Sequence, residues 1–194
     1  SAALYMAELK GIILSLSRLY HSPRELLINA NKIISQQLDS RSFITMTYAI
    51  VDKNSGTLTY ARAGHAPLLH VPGPGSSVSG IRRLMPNGMA LGLKLDTGGM
   101  FNEVLVEESL TLAPGDTLIF YTDGITEAMN EKFESFGEEQ LLASIDAHRD
   151  YDPGQLRQQI IGEIEAFVGK GMQHDDMTLI LLRRNSGAGT TNTP

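Results

Sequence analysis

Apolar residues recur along the first twenty positions at spacings of three and four. Met6, Leu9, Ile13, Leu16 and Tyr20 form one stripe, and Leu4, Ile12 and Leu19 widen it. That period predicts a helix over residues 2–20 with a broad buried face. A second helix, over residues 23–40, starts at Ser22, which can cap; Pro23 suits the first turn and Glu25 completes a capping box. Its apolar stripe is Leu27, Ala30, Ile34 and Leu38. From Phe43 the period falls to two, with Ile44, Met46, Tyr48 and Ile50 on one face. The turn residues DKNSG at 52–56 then lead into TLTYA at 57–61, which predicts a hairpin.

The middle is turn chemistry. VPGPGSSVSG at 71–80 and MPNG at 85–88 read as surface loops. Strand character returns at 102–107, and LAPGD at 112–116 turns the chain into the apolar strand TLIFY at 117–121. Helices follow at 138–147 and, behind an Asp152-Pro153 start, at 154–168; MTLILL at 177–182 reads as the last strand. NSGAGTTNTP, residues 185–194, has the composition of a disordered tail. Helices, hairpin-linked strands, more helices and a closing strand predict an α+β fold with a mainly antiparallel sheet.

Composition narrows the function classes. The 194 residues suffice for one core, and 42% hydrophobic with 20% charged residues describes an ordinary globular chain. A net charge of -6 argues against a nucleic-acid partner, because a phosphate-binding surface carries a basic excess. No apolar run approaches the ~20 residues of a bilayer span, so no membrane insertion is expected. The absence of cysteine excludes disulfides and thiolate chemistry and fits a reducing, cytoplasmic compartment.

The strand TLIFY runs into YTDG, where a lone carboxylate, Asp123, stands against Gly124. Alone, Thr-Asp-Gly after a strand reads as a turn. A second pair, Asp175 and Asp176, stands just before the last strand. If the two strands pair antiparallel, Asp123 and Asp175 reach the same sheet edge. Carboxylates converging there without cysteine make a hard oxygen site suited to Mg²⁺ or Mn²⁺.

The stretch LAPGDTLIFYTDGITEAMN, followed by QHDDMTLILLRR, resembles the PPM-type metal-dependent serine/threonine phosphatases of the bacterial SpoIIE/RsbU branch. AGHAPLL at 63–69 and GMALGL at 88–93 are similar to two further motifs of that family. The resemblance covers residues 1–184. It implies an αββα sandwich with two Mn²⁺ or Mg²⁺ ions, Asp123 and Asp175 as metal ligands and catalytic residues, and Asp176 and Gly124 as their support. It further implies a metal-activated water attacking a phosphoserine or phosphothreonine, with an anti-sigma-factor antagonist as the phosphoprotein substrate. An upstream sensory or receiver domain belongs to the same picture. Glu127 matches an acidic position of the pattern, but its simpler place is a helix end.

The family's GDxxD and DxSGHG motifs are not in this sequence. The 194 residues therefore read as a domain lacking its N-terminal strands, expected to release little phosphate alone. That keeps a second reading open, a phosphatase-like binding module without turnover. A haloacid-dehalogenase-like phosphatase is the weaker rival, because Tyr121 stands where its nucleophilic aspartate would be. His65 reads as a turn residue, and His174 beside Asp175 mimics a metal phosphohydrolase pair that belongs on helices. The first helix has a coiled-coil-like seam at Ala2, Met6, Leu9, Ile13, Leu16 and Tyr20 beside a row at Tyr5, Ile12 and Leu19. With one row packed on the domain and the other free, a homodimer through helices 2–20 and 23–40 is expected.

Overall fold

The computed structural model describes residues 2–74, 76–94, 99–171 and 175–185; His174 and tail residues 186–194 lie outside the described residues. In chain order the elements are α1 (Ala2–Leu16), α2 (Pro23–Gln37), β1 (Met46–Val51), β2 (Thr57–Ala63), β3 (Leu68–Val71), β4 (Arg82–Leu84) and α3 (Met100–Val104). They continue as β5 (Glu107–Thr111), β6 (Thr117–Tyr121), α4 (Asp123–Thr126), α5 (Gly137–Ala147), α6 (Pro153–Val168) and β7 (Leu179–Arg183). The chain forms two compact units, one from Ser1–His65 with Met85–Thr111 and one from Ala66–Leu84 with Leu112–Pro194. The pairings between these seven strands are antiparallel, so the α+β class with antiparallel sheets holds.

The first unit pairs its strands in the order β1-β2-β5. Leu26, Leu27, Ala30 and Ile34 of α2, with its C-cap residue Leu38, share one buried cluster with Ala61, Ala63, Phe101 and Leu105. Ser22 caps α2 by accepting the Glu25 N–H at 3.1 Å. Glu107 also holds this helix end, accepting from Ser22 Oγ at 2.6 Å and from the Arg24 N–H at 2.9 Å. Where a strand was expected at 102–107, residues 100–104 form α3. Phe101 and Leu105, four apart and both buried, outweigh the short alternation.

The two apolar rows of α1 do not divide as expected. Leu9 and Leu16 are buried, and Tyr5, Ile12, Ile13 and Tyr20 pack against the same core. The apolar side chains left outward in α1 are Leu4, Met6 and Leu14. The helix is apolar nearly all round, so periodicity alone could not choose the inner face.

The second unit pairs its strands in the order β4-β3-β6-β7. Ile119 and Tyr121 of β6 pack with Leu141 and Ile145 of α5 and with Leu156, Ile160 and Ile164 of α6. Asp152 caps α6, accepting from the Gly154 and Gln155 N–H groups, with Gln155 returning the bond. Val71, read as the start of a loop, is the last residue of β3, a strand buried throughout. The closing strand begins at Leu179, two residues later than expected.

At the start of β6 a buried pair holds three segments together. Asp116 accepts from His70 Nε2 and the Gly73 N–H, both at 2.8 Å, and from the Ala113 N–H at 2.9 Å. Burial works to raise the Asp116 carboxyl, but the hydrogen bonds from Gly73, His70 and Ala113 outweigh it and hold the group below its ordinary 3.8. A depressed folded value means that the stabilisation is complete above the ordinary range and is lost as the pH falls through the folded value. We expect Asp116→Asn to cost about 3 kcal/mol near neutral pH and to flatten the acid limb below about pH 4. Urea unfolding at pH 7 and pH 3 checks this; an unchanged pH dependence in the variant refutes it.

Candidate metal and phosphate site

Strand β6 is apolar to its end because it lies between β3 and β7 under the helices, and it stops where its ladder changes partners. The Thr122 N–H donates to the Thr178 carbonyl at 3.1 Å, which extends the β6–β7 pairing past the Tyr121–Leu179 position. The Thr122 hydroxyl then works both ways, donating to the Asp176 carbonyl at 3.2 Å and accepting the Thr178 N–H at 3.0 Å. Thr122 is extended and becomes the N-cap residue of α4, so Asp123 is the first residue of a short helix rather than the last of a strand.

Gly124 explains the glycine beside this aspartate. It is buried, and a Cβ placed there would lie 2.4 Å from the Asp176 carbonyl oxygen. No side chain fits that gap, so the close approach of this turn to the Asp176 carbonyl requires glycine at 124. Asp123, Asp175 and Asp176 are all exposed at this edge. Asp123 Oδ1 accepts the Gly124 N–H at 3.1 Å, and Asp175 Oδ1 accepts the Asp176 N–H at 2.7 Å. The sequence-derived residues therefore sit on two segments in direct contact. Asp176 acts there through its backbone.

The donor chemistry fits one hard cation. Mg²⁺ and Mn²⁺ take oxygen ligands, and Mg²⁺ in particular is commonly held by one or two carboxylates with water and phosphate oxygens completing the shell. Among the described residues no group of three or more His, Cys, Asp or Glu side chains is placed to hold a metal, so these residues do not complete a two-ion centre.

Tyr121 points to its other neighbours. It is buried and its hydroxyl donates to Glu138 Oε1 at 3.1 Å, while Arg83 Nε meets the same oxygen at 3.1 Å. Burial, then the Glu138 charge, push its pKa well above the ordinary tyrosine range. It is a protonated hydrogen-bond donor. His65 lies in the irregular link between β2 and β3, with Nδ1 3.1 Å from Thr45 Oγ1 and its carbonyl accepting from Arg62 at 2.7 Å. Glu127 caps the end of α4, its N–H donating to the Asp123 carbonyl at 2.7 Å.

One feature beside the site had no signal in the sequence. After α4 the chain makes a tight hairpin in which the Asn130 N–H donates to the Glu134 carbonyl and the Phe133 N–H to the Asn130 carbonyl, both at 3.0 Å. Phe133 adopts φ of 61°, and it is the one described non-glycine residue with positive φ. That conformation costs a side-chain-bearing residue roughly 1–2 kcal/mol. No glycine marks the left-handed position in NEKFE, and Asn130 is the one turn-forming residue type there.

Comparison with known proteins places this geometry. The family model described as Stage II sporulation protein E (SpoIIE) matches residues 1–185. Protein IcfG of Synechocystis sp. is 31% identical over 156 residues, 79% of this chain and 22% of that protein. Phosphoserine phosphatase RsbU of Bacillus subtilis is 29% identical over 184 residues, 94% of this chain and 51% of that protein. The chain thus spans about a fifth and about half of these relatives. The SiaA-PP2C domain of Pseudomonas aeruginosa has the same fold, with a TM-score of 0.76 at 18% identity over 93% of this chain and 68% of that one.

Gly124→Ala should push the 175–176 segment away from α4 and destabilise the fold by about 1–3 kcal/mol, the usual effect of overpacking. Urea unfolding and the amide shifts of residues 175–178 check it; a variant with wild-type values at both removes the close-approach role.

Proposed function

The chain belongs to the SpoIIE family, and from that premise we propose that it is the catalytic part of a metal-dependent protein phosphatase acting on phosphoserine or phosphothreonine. The observation that carries this reading is the contact between the turn after β6 and the segment before β7, which brings Asp123 and Asp175 to one sheet edge. These two carboxylates would hold Mn²⁺ or Mg²⁺. A cation there supplies charge neutralisation on a phosphoryl group and acidifies a water. The chain's own residues do the rest of the positioning. Thr122 fixes the spacing of the two segments through its paired bonds, and Gly124 lets them close. Asp176 lends its carbonyl to that lock, and Asp123 and Asp175 turn outward to solvent, where a phosphoprotein can reach them. Tyr121, protonated and tied to Glu138, takes no part as nucleophile.

By resemblance the substrate is a serine-phosphorylated anti-sigma-factor antagonist, and the similarity to a relative named as a phosphoserine phosphatase supports that class. An upstream sensory or receiver domain and a cytoplasmic setting complete the proposal. No described helix is long and apolar enough to cross a membrane. The second reading, a binding module that recognises a phosphoprotein without turnover, draws on the lack of a third ligand among the described residues. Phosphate release by the full-length protein decides between them.

In the full-length protein we expect Asp123→Asn and Asp175→Asn each to lower Mn²⁺-dependent phosphate release by about a hundredfold or more, since each removes a charged ligand. Thermal stability should hold or rise as repulsion between carboxylates falls. Turnover near that of the wild type in either variant refutes the assignment.

The homodimer is proposed on a revised face. Ile12 packs inward, so an aspartate there would damage the core, whereas Leu4 and Leu14 remain outward on α1. Covering such side chains stabilises an association at roughly 25 cal/mol per Å² of apolar surface. Leu14→Asp should weaken self-association by about tenfold while the monomer stays folded. Sedimentation equilibrium reads this, and a wild type that is monomeric at every concentration ends the proposal.

A further inference from the structure

The position of Phe133 asks for a different residue. Its hairpin is the three-residue type in which a turn is followed by a left-handed residue, a place that glycine fills without strain. Here a phenylalanine fills it at φ of 61° with 79% of its surface exposed. The strain is not offset by packing, because the ring is not buried against this chain. The hairpin itself is over-determined. Asn130 Oδ1 accepts from the Lys132 N–H at 2.9 Å and the Glu134 N–H at 3.0 Å, and Asn130 Nδ2 donates to Glu134 Oε2 at 2.8 Å. A rigid loop therefore holds a large aromatic ring out into solvent. Strained residues of this kind persist where the surroundings fix them, and they gather at sites of function.

The location is specific. The hairpin leaves the end of α4, the helix that begins with Asp123. On its other side Glu131 Oε1 accepts the Lys170 N–H at 3.3 Å, and a Cβ on Gly171 would lie 2.7 Å from the Met129 carbonyl. The hairpin thus lies against the stretch of chain that leads to Asp175. It follows closely on the helix that starts at Asp123 and touches residues 170 and 171. A small phosphate ester occupies only the sheet edge itself, whereas a folded protein delivering a phosphoserine there covers a wide patch of surface around it.

We propose that Phe133 is the docking residue for the protein substrate, seating its ring in an apolar recess beside the phosphoserine. This inference rests on the phosphatase reading above. A rigid aromatic anchor loses little freedom on binding and contributes heavily where it is desolvated. Its role lies in recognition, not in the reaction at phosphorus.

The test uses the full-length protein with Mn²⁺ and two substrates, the serine-phosphorylated anti-sigma-factor antagonist of the same organism and p-nitrophenyl phosphate. For Phe133→Gly, KM for the phosphoprotein should rise about tenfold or more, with kcat and p-nitrophenyl phosphate turnover within about twofold of wild type. Tm should hold or rise, since glycine relieves the positive φ. Phe133→Trp should keep phosphoprotein KM near the wild-type value. An unchanged KM in Phe133→Gly overturns the proposal, as does an equal loss on both substrates or a Tm lowered by several degrees, which would make the ring structural. A wild type active on p-nitrophenyl phosphate alone overturns the docking role and leaves the phosphatase reading standing. A wild type active on neither overturns both.

Discussion

The antiparallel ladder between β6 and β7 is the constraint on which the candidate site depends. Because Tyr121 pairs with Leu179, whatever follows the first strand must meet whatever precedes the second. The register is set by the core. Ile119 and Tyr121 on one strand and Leu179 and Leu181 on the other face the same apolar cluster under α5 and α6. Slipping the pairing by one residue would turn that set of side chains to the opposite face, so the slip is closed off by burial. The same register places Thr122 opposite Thr178 and brings Gly124 against Asp176. Core packing and site geometry are therefore one requirement, with the carboxylates carried at its margin.

That coupling explains why this part of the molecule was legible in the sequence. TLIFY and MTLILL are strong strand patterns, the Asp152-Pro153 start and the apolar spacing of α6 are strong helix signals, and the carboxylates stand at their ends. Pairing those two strands was enough to put the segments that carry Asp123 and Asp175 at one sheet edge. Weaker signals failed for definable reasons. β3 and β4 are strands of four and three residues in a proline- and glycine-rich stretch, too short for a period to emerge. At α3 a six-residue alternation competed with the Phe101 and Leu105 spacing, and burial of those two side chains decided for helix. In α1 the outer row could not be told from the inner, because a helix apolar nearly all round has a weak preference for either face.

Phe133 and the Tyr121, Glu138 and Arg83 cluster belong to another class of omission. The first depends on a backbone angle that phenylalanine does not advertise. The second joins side chains from β6, α5 and β4 that are far apart in the chain. Tertiary proximity of isolated residues leaves no period in a sequence.

The two ends of β6 are locked by opposite means, and the difference fits what each end must do. At its start the lock is a buried carboxylate, Asp116, gathering three donors. At its finish the lock is a neutral hydroxyl, Thr122, that donates to one carbonyl and accepts from one N–H. A buried charge is an effective clamp where nothing else ionic must bind. Beside a cation and a phosphate dianion, it would add a fixed potential to the site. Six residues of extended chain separate Asp116 from Thr122, roughly 20 Å. The charged clamp thus sits at the opposite end of the strand from Asp123 and Asp175, and the end that carries those two carboxylates is locked without a buried charge.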